Sequence, residues 1–368
     1  MLVYGLLLAV TVLIGIPICR LKHGKLIYCC AAGLILFVFA ALREYVGTDY
    51  YSYGMTYLNA IQKTPEQLMH GRMEKGFLFN AKFLGDHFDD WHTLFTLTAL
   101  FIASSVAVYT YKNSDKPYMS VFFFLTFGIY FNSFNFMRQL MAACIVLFAM
   151  QYIKKNQFIR FAVLVILASC FHLSALIMLV FFFILKIKMN VATLGVYTGF
   201  TALFFVFSWD LVTFITDHVY KNYDPDTSWE MTHGLNPIYT IYFGVFFALA
   251  FAFRKELIKK NSFNNVLLNC MYFSFFFELI GVRHAILSRF VIYFYMPAVM
   301  ILLPQVLEII KSKCQTKFRG DKKRITLSKV IAVAVVLSVC TGMYTFMVEN
   351  NYNGVNPYMI IGTRKAGG

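Results

Sequence analysis

Polar residues suited to phosphate and sugar chemistry follow the long apolar run that ends at residue 42. They are Arg43, Asp49, Tyr50 and Tyr53. Charge at a bilayer boundary is costly unless it faces a cavity or a partner, so it marks a candidate site. Arginine suits an anion, and Asp49 is the first candidate for a base. Gly47 predicts a tight turn that directs Asp49 back toward the membrane.

Four further candidates lie in other polar segments or breaks along the chain. Glu74 stands in the long polar segment that follows Asp49, and Arg138 and Gln139 separate two apolar runs. His172 lies within a mostly apolar stretch. An imidazole that is neutral near pH 7 can bind a sugar hydroxyl or accept its proton. The alternatives are a capped helix–helix connection with a snorkelling arginine and a hydrogen-bonded structural histidine.

A last polar group contains Arg283, Arg289 and Tyr293. Arginine at helix ends presents a planar, permanently charged fork, which fits a phosphate or pyrophosphate. Tyrosine combines a flat apolar face with a hydroxyl, which suits carbohydrate. An ion pair between Glu278 and one of these arginines is the structural alternative.

The chain contains no motif that indicates a bound metal, a nucleotide or another cofactor. It has no HExxH, no cluster of Cys and His, no P-loop and no GxGxxG. The eight cysteines lie mostly within apolar runs and form no CxxC pair. We interpret them as small core residues, and we predict no cofactor.

Composition defines the elements that must position these residues. The chain has 368 residues, of which 59% are hydrophobic and 14% are charged, too apolar for a soluble domain. Continuous apolar runs near the length of a bilayer-crossing helix predict an all-α polytopic membrane protein in a single domain, 1–368. About twelve such segments are predicted. They are 1–19, 26–42, 92–111, 118–134, 138–153, 158–171, 173–186, 190–208, 237–254, 263–282, 290–309 and 327–347.

Two local features depart from simple spans. The pair 158–171 and 173–186 is short and predicts a bent or re-entrant hairpin with His172 at its tip. Residues 74–89 show apolar side chains at helical spacing, which predicts an amphipathic interfacial helix in the first long loop. The first segment, 1–19, lacks a basic leader and is interpreted as a retained helix.

The distribution of charge predicts the orientation. About two thirds of the 33 Lys and Arg residues lie in one set of alternating connections, which the positive-inside rule makes cytoplasmic. That set includes the basic loop 310–329. Loops 43–91 and 209–236, both termini and all the candidate site residues then face outward. The net charge of +15 follows from topology and anionic lipid, not from nucleic acid.

At these residues the chain resembles the EpsG family of exopolysaccharide polymerases, akin to Wzy-type O-antigen and capsule polymerases. Each motif is short, and the resemblance lies in their order along nearly the whole chain. The motifs are Arg43 with Gly47-Thr48-Asp49-Tyr50-Tyr51-Ser52-Tyr53, Glu74-Lys75-Gly76-Phe77, Asn135-Phe136-Met137-Arg138-Gln139-Leu140-Met141-Ala142, Phe171-His172-Leu173-Ser174-Ala175, Ser288-Arg289-Phe290 with Tyr293, and Asn356-Pro357-Tyr358.

The resemblance implies a metal-independent, GT-C-like membrane glycosyltransferase. It would polymerise undecaprenyl-pyrophosphate-linked oligosaccharide repeat units at the outer face of the bacterial inner membrane. A flippase and a chain-length regulator of the same pathway are the implied partners. Catalytic roles would fall on Asp49, His172 and Glu74, and substrate binding on the remaining candidates. Those are Arg43, Arg138, Gln139, Arg283, Arg289, Tyr50, Tyr53 and Tyr293.

Two other functions remain as alternatives. A flippase for a lipid-linked oligosaccharide would also use arginines to neutralise pyrophosphate. Its polar residues should, however, form a path across the bilayer, and a duplicated half is common in transporters. A membrane acyltransferase that modifies the glycan would need a histidine accessible to an intracellular acyl donor.

Overall fold

The described part of the chain is all-helical. The computed structural model describes residues 1–71, 73–209, 235–318 and 320–362. Four helices there are long and apolar enough to cross a membrane: α3 (Gly24–Ala41), α7 (His92–Asn113), the segment Ala285–Lys317 and α18 (Lys322–Glu349). A fifth is added if α14 (Pro237–Ala252) and α15 (Arg254–Lys260), bent by 68° at their junction, form one broken span.

The predicted apolar segments are all helical, but the structure does not show about twelve spans. Several of them form shorter helices, including α1 (Leu2–Leu13), α2 (Gly15–Ile18), α8 (Pro117–Thr126), α9 (Ile129–Asn135), α11 (Phe158–Ser169), α12 (Ile177–Ile184) and α13 (Val191–Val206). Two further helices of 18 residues, α10 (Met137–Lys154) and α16 (Asn264–Gly281), belong to the core. Helices of 10 to 16 residues are short for a bilayer at about 1.5 Å per residue.

The helix α17 (Val291–Lys317) lies at the centre of the bundle. It packs against α8, α10, α16 and α18, and its residues from Val291 to Leu307 are buried. In contrast, α18 exposes large apolar side chains at helical spacing, as a helix in contact with lipid does. These are Leu327, Val330, Ile331, Val335 and Val339.

The first long polar segment folds into three short helices, α4 (Tyr50–Ile61), α5 (Pro65–Met69) and α6 (Lys75–Gly85). The amphipathic helix predicted over 74–89 corresponds to α6. Its apolar face packs on α4, α7 and α10 and forms a second, smaller core. The opposite face exposes Phe79 and Phe83.

The hairpin predicted at 158–186 is formed by α11 and, after a short 3₁₀ turn at Leu173–Leu176, by α12. His172 lies between these elements, as the sequence predicted. The basic loop predicted at 310–329 is largely helical: α17 runs to Lys317 and α18 begins at Lys322. Lysine, arginine and glutamine are good helix formers, and lysine and arginine keep their charges in water beyond the span. Most of the predicted loop 209–236 lies outside the described residues.

The segment that follows α18 returns to the start of the first polar segment. Glu44 N–H donates to Met359 O at 2.9 Å, and Ile361 N–H donates to Leu42 O at 3.0 Å. Gly47 N–H donates to Gly354 O at 3.0 Å. Residues 352–362 therefore hold the turn that leads from α3 to α4.

Candidate functional site

Three predicted site residues from separate parts of the chain meet in one cluster. Arg138, in the first turn of α10, donates from Nη1 to Glu74 Oε2 in an ion pair. The other oxygen of Glu74 accepts the Leu173 N–H at 3.1 Å and lies 3.7 Å from His172 Nδ1. One carboxylate thus links α6, α10 and the hairpin.

Gly76 explains how α6 comes so close to the hairpin. Its N–H donates to Cys170 O at 2.9 Å. A Cβ at this position would lie 2.6 Å from the same oxygen, which is closer than such contacts allow. A residue without a side chain is therefore required two residues after Glu74.

His172 is surrounded by polar groups on its Nδ1 side. Nδ1 lies 3.1 Å from Ser174 Oγ, which in turn lies 2.8 Å from the Tyr293 hydroxyl. Burial lowers the pKa of His172 to about 4; Glu74 opposes this effect, and Arg138 and Arg289 add to it. The imidazole is therefore neutral near pH 7.

Gln139 and Arg289 are joined through the backbone. Gln139 Nε2 donates to the carbonyl of Arg289, which lies in the 3₁₀ segment Ala285–Phe290 before α17. Gln139 is buried, so the bond fixes the backbone that carries Arg289. The positive charge of Arg289 opposes protonation of His172.

Tyr53 connects the cluster to Asp49. Tyr53 is buried against Phe77, and its hydroxyl lies beside Arg138. The charge of Asp49 also acts on Tyr53. Asp49 stands directly before α4, and its backbone N–H donates to Asn135 Oδ1 at 3.1 Å.

The turn predicted at Gly47 is present and explains the position of Asp49. Gly47 has a φ of +108°, a conformation that favours glycine. A Cβ there would lie 2.8 Å from Asn135 Oδ1. Asn135 Nδ2 also donates to Asn353 O at 2.5 Å, so one amide holds two segments far apart in sequence.

Sequence reasoning missed the role of the asparagines that surround this turn. Asn132 Oδ1 accepts from Asn353 Nδ2 at 2.8 Å and from the Tyr352 hydroxyl at 3.2 Å. Asn132 Nδ2 donates to the Tyr295 hydroxyl at 2.7 Å. In the sequence, this network was indicated only by the two amides at 132 and 135 and by the Asn356-Pro357-Tyr358 motif, which follows Asn353.

Arg43 occupies a different, mostly apolar environment. Its side chain is 2% exposed and lies over the rings of Phe134, at 4.3 Å, and Phe95, at 5.5 Å. Nη2 lies 3.7 Å from Met137 Sδ, so Arg43 contacts the neighbour of Arg138. Burial lowers the pKa of Arg43 to about 10, which leaves it charged near pH 7.

Tyr50 belongs to the same region as Arg43. Its ring stacks on Phe95 with centroids 4.2 Å apart, and its hydroxyl lies 3.1 Å from His92 Nδ1. His92 Nε2 lies 2.6 Å from Ala41 O, at the end of α3. Tyr50 therefore fastens α4 to α3 and α7.

The structure does not bring Arg283 to the cluster. Arg283 is exposed, and its Nη1 donates to Phe205 O at 2.6 Å, at the carboxyl end of α13. The predicted ion pair of Glu278 with an arginine is not found among the described residues. Glu278 Oε2 is buried and has no hydrogen-bond partner there. The described residues also contain no group of three His, Cys, Asp or Glu side chains that could hold a metal.

The helical architecture and this cluster define a multi-pass membrane protein with a candidate site for an anion and a sugar. The model of the EpsG family matches residues 26–360, and the chain belongs to this family. The matched range includes every candidate site residue. Neither a curated protein nor a solved structure matches the chain. Membership in the family indicates a polymerase related to exopolysaccharide that acts on a lipid-linked substrate in the membrane.

Proposed function

We propose that the protein joins undecaprenyl-pyrophosphate-linked oligosaccharide repeat units into a surface polysaccharide. The reaction takes place at the extracytoplasmic face of the bacterial inner membrane. The observation that carries this proposal is the cluster of Glu74, Arg138 and His172, with Arg289 nearby, in a chain of the EpsG family.

In this reaction a hydroxyl oxygen of the acceptor glycan forms a bond to C1 of the donor glycan. The bond between C1 and the phosphate oxygen breaks, and the lipid pyrophosphate leaves as an anion. Negative charge therefore develops on the phosphate oxygens in the transition state. Arg138 and Arg289 stabilise that charge from fixed positions, which costs no reorganisation during the reaction.

Asp49 is proposed as the base that accepts the hydroxyl proton. Glu74 is less suited to this role, because its two oxygens are engaged by Arg138 and by the Leu173 N–H. The proximity of Tyr53 to both Arg138 and Asp49 supports a shared site.

The test is reconstitution of the purified protein in lipid with a lipid-linked repeat unit. The expected product is a ladder of longer lipid-linked glycans. Asp49→Asn should abolish the ladder without unfolding the protein. Asp89→Asn, which alters an exposed acid of the same polar segment, serves as the control. Movement of substrate across the bilayer without lengthening would contradict the proposal and support a flippase.

A further inference from the structure

The 3₁₀ turn after His172 determines which ring nitrogen of this residue carries the proton. His172 is the N-cap residue of Leu173–Leu176, and its Nδ1 accepts the backbone N–H of Ser174 at 3.3 Å. An amide N–H can only donate. Nδ1 must therefore present its lone pair, and in the neutral ring the proton lies on Nε2.

The hydroxyls next to Nδ1 extend the same arrangement. Since Nδ1 is an acceptor, the Ser174 hydroxyl donates to it across 3.1 Å. Ser174 Oγ then accepts from the Tyr293 hydroxyl across 2.8 Å. Hydrogen bonds that point in one direction strengthen one another. Tyr293 is buried on the central helix α17, so the chain begins from a fixed donor.

The charged groups around His172 act in opposite directions: Glu74 favours protonation of the ring, and Arg138 and Arg289 oppose it. Burial has the largest effect and keeps the ring neutral. Glu74 Oε1 lies 3.7 Å from Nδ1, which is too far for a hydrogen bond. The His172 side chain keeps 14% exposure, and in this tautomer the Nε2–H is the one donor of the ring.

We infer that His172 donates a hydrogen bond from Nε2 to the departing pyrophosphate, and that Ser174 and Tyr293 are positioning residues that fix this tautomer. The inference rests on the proposed polymerase function. It assigns His172 the role of a neutral donor beside Arg138, in place of the role of a base. Ser174 acts only through His172.

Substitutions that mimic one ring nitrogen at a time distinguish the two roles. The amide nitrogen of Gln reaches the position of Nε2, and that of Asn reaches the position of Nδ1. His172→Gln should keep polymerisation within about 10-fold of wild type, and His172→Asn should lose about 100-fold or more, as loss of an oxyanion donor does. Equal losses in both variants would indicate a base and would overturn the inference.

The tautomer itself can be measured without any substrate. In protein with ¹⁵N-labelled histidine, the resonances assigned through His172→Gln should show the Nε2–H form near pH 7. Ser174→Ala removes one of the two donors to Nδ1 and keeps the backbone N–H, and Tyr293→Phe removes the donor to Ser174. Each should therefore increase the Nδ1–H form in part and lower kcat about 10-fold with KM within about 2-fold. Ser169→Ala, whose hydroxyl bonds to Ile166 O within its own helix, is the control.

The two outcomes are separable. An Nδ1–H form or an imidazolium in the wild-type protein at pH 7 would overturn the inference whether or not the protein polymerises. If the wild-type protein lengthens no lipid-linked glycan, the proposed function fails, and with it the role of His172 as a donor, while the tautomer measurement still reports on the structure.

Discussion

The ion pair of Glu74 and Arg138 should make a measurable contribution to the free energy of unfolding. The side chains are 17% and 23% exposed. Breaking a fully buried pair costs about 3–5 kcal/mol, and an exposed pair contributes about 0.2–1 kcal/mol. A pair that is about four-fifths buried lies between these limits, so each single variant should cost about 2–3 kcal/mol.

The variants should preserve shape and remove charge. Glu74→Gln keeps an oxygen for the Leu173 N–H, so its effect reports mainly on the lost charge. Arg138→Gln removes the partner. Because each single variant leaves one buried charge unpaired, the double variant should be more stable than the sum predicts, by about 2 kcal/mol.

The assay is reversible unfolding in mixed micelles, analysed as a double-mutant cycle. Lys82 and Asp86 provide a matched control on α6, with an N–O distance of 3.1 Å and Asp86 45% exposed. Their coupling should be below about 0.5 kcal/mol. A coupling of Glu74 and Arg138 no larger than that of the control would refute the argument that this pair fastens α6 to α10.

Three other changes have definite expected outcomes. Gly76→Ala should lower the unfolding free energy by about 1–3 kcal/mol in the same assay, because its Cβ would lie 2.6 Å from Cys170 O; no change would show that the backbone yields freely. Burial lowers the pKa of His172 from 6.5 to about 4, so the unfolded chain binds this proton at a higher pH than the folded protein does. The free energy of unfolding should therefore fall by about 2 kcal/mol from pH 7 to pH 5, and by less in His172→Gln. Arg43→Met should keep the unfolding free energy within about 1 kcal/mol, because an apolar side chain replaces a buried charge that makes no salt bridge among the described residues; it should also stop polymerisation if Arg43 binds the substrate, as the sequence predicts, and an active variant would make Arg43 structural.

The helical segments were predictable because hydropathy is a local property. The bounds of the helices, and which of them span the membrane, were less predictable from the sequence, because the length of α17 and the bend after α14 depend on packing. The turn at Gly47 and the break at His172 were also predictable. A glycine indicates that a positive φ is possible, and a histidine between two apolar runs indicates the polar tip of a hairpin.

The meeting of the candidates could not be read from the sequence. Glu74, Arg138 and His172 were separate candidates, and only the approach of α6 to the hairpin at Gly76 joins them. Arg283 shows the opposite case. It stands close to Arg289 in sequence, but the turn before α17 directs it to the end of α13.

The contacts of residues 352–362 impose an order on the biogenesis of the protein. In the turn that precedes Asp49, Gly47 N–H donates to Gly354 O, and Glu44 N–H donates to Met359 O. The ribosome makes these acceptors about 300 residues after it has made the turn. These hydrogen bonds of the turn can therefore form only after the spanning helices have been synthesised. The nascent chain therefore forms its lipid-facing surfaces before its candidate site is complete. A chain that lacks residues 352–362 lacks the contacts that hold the turn before Asp49.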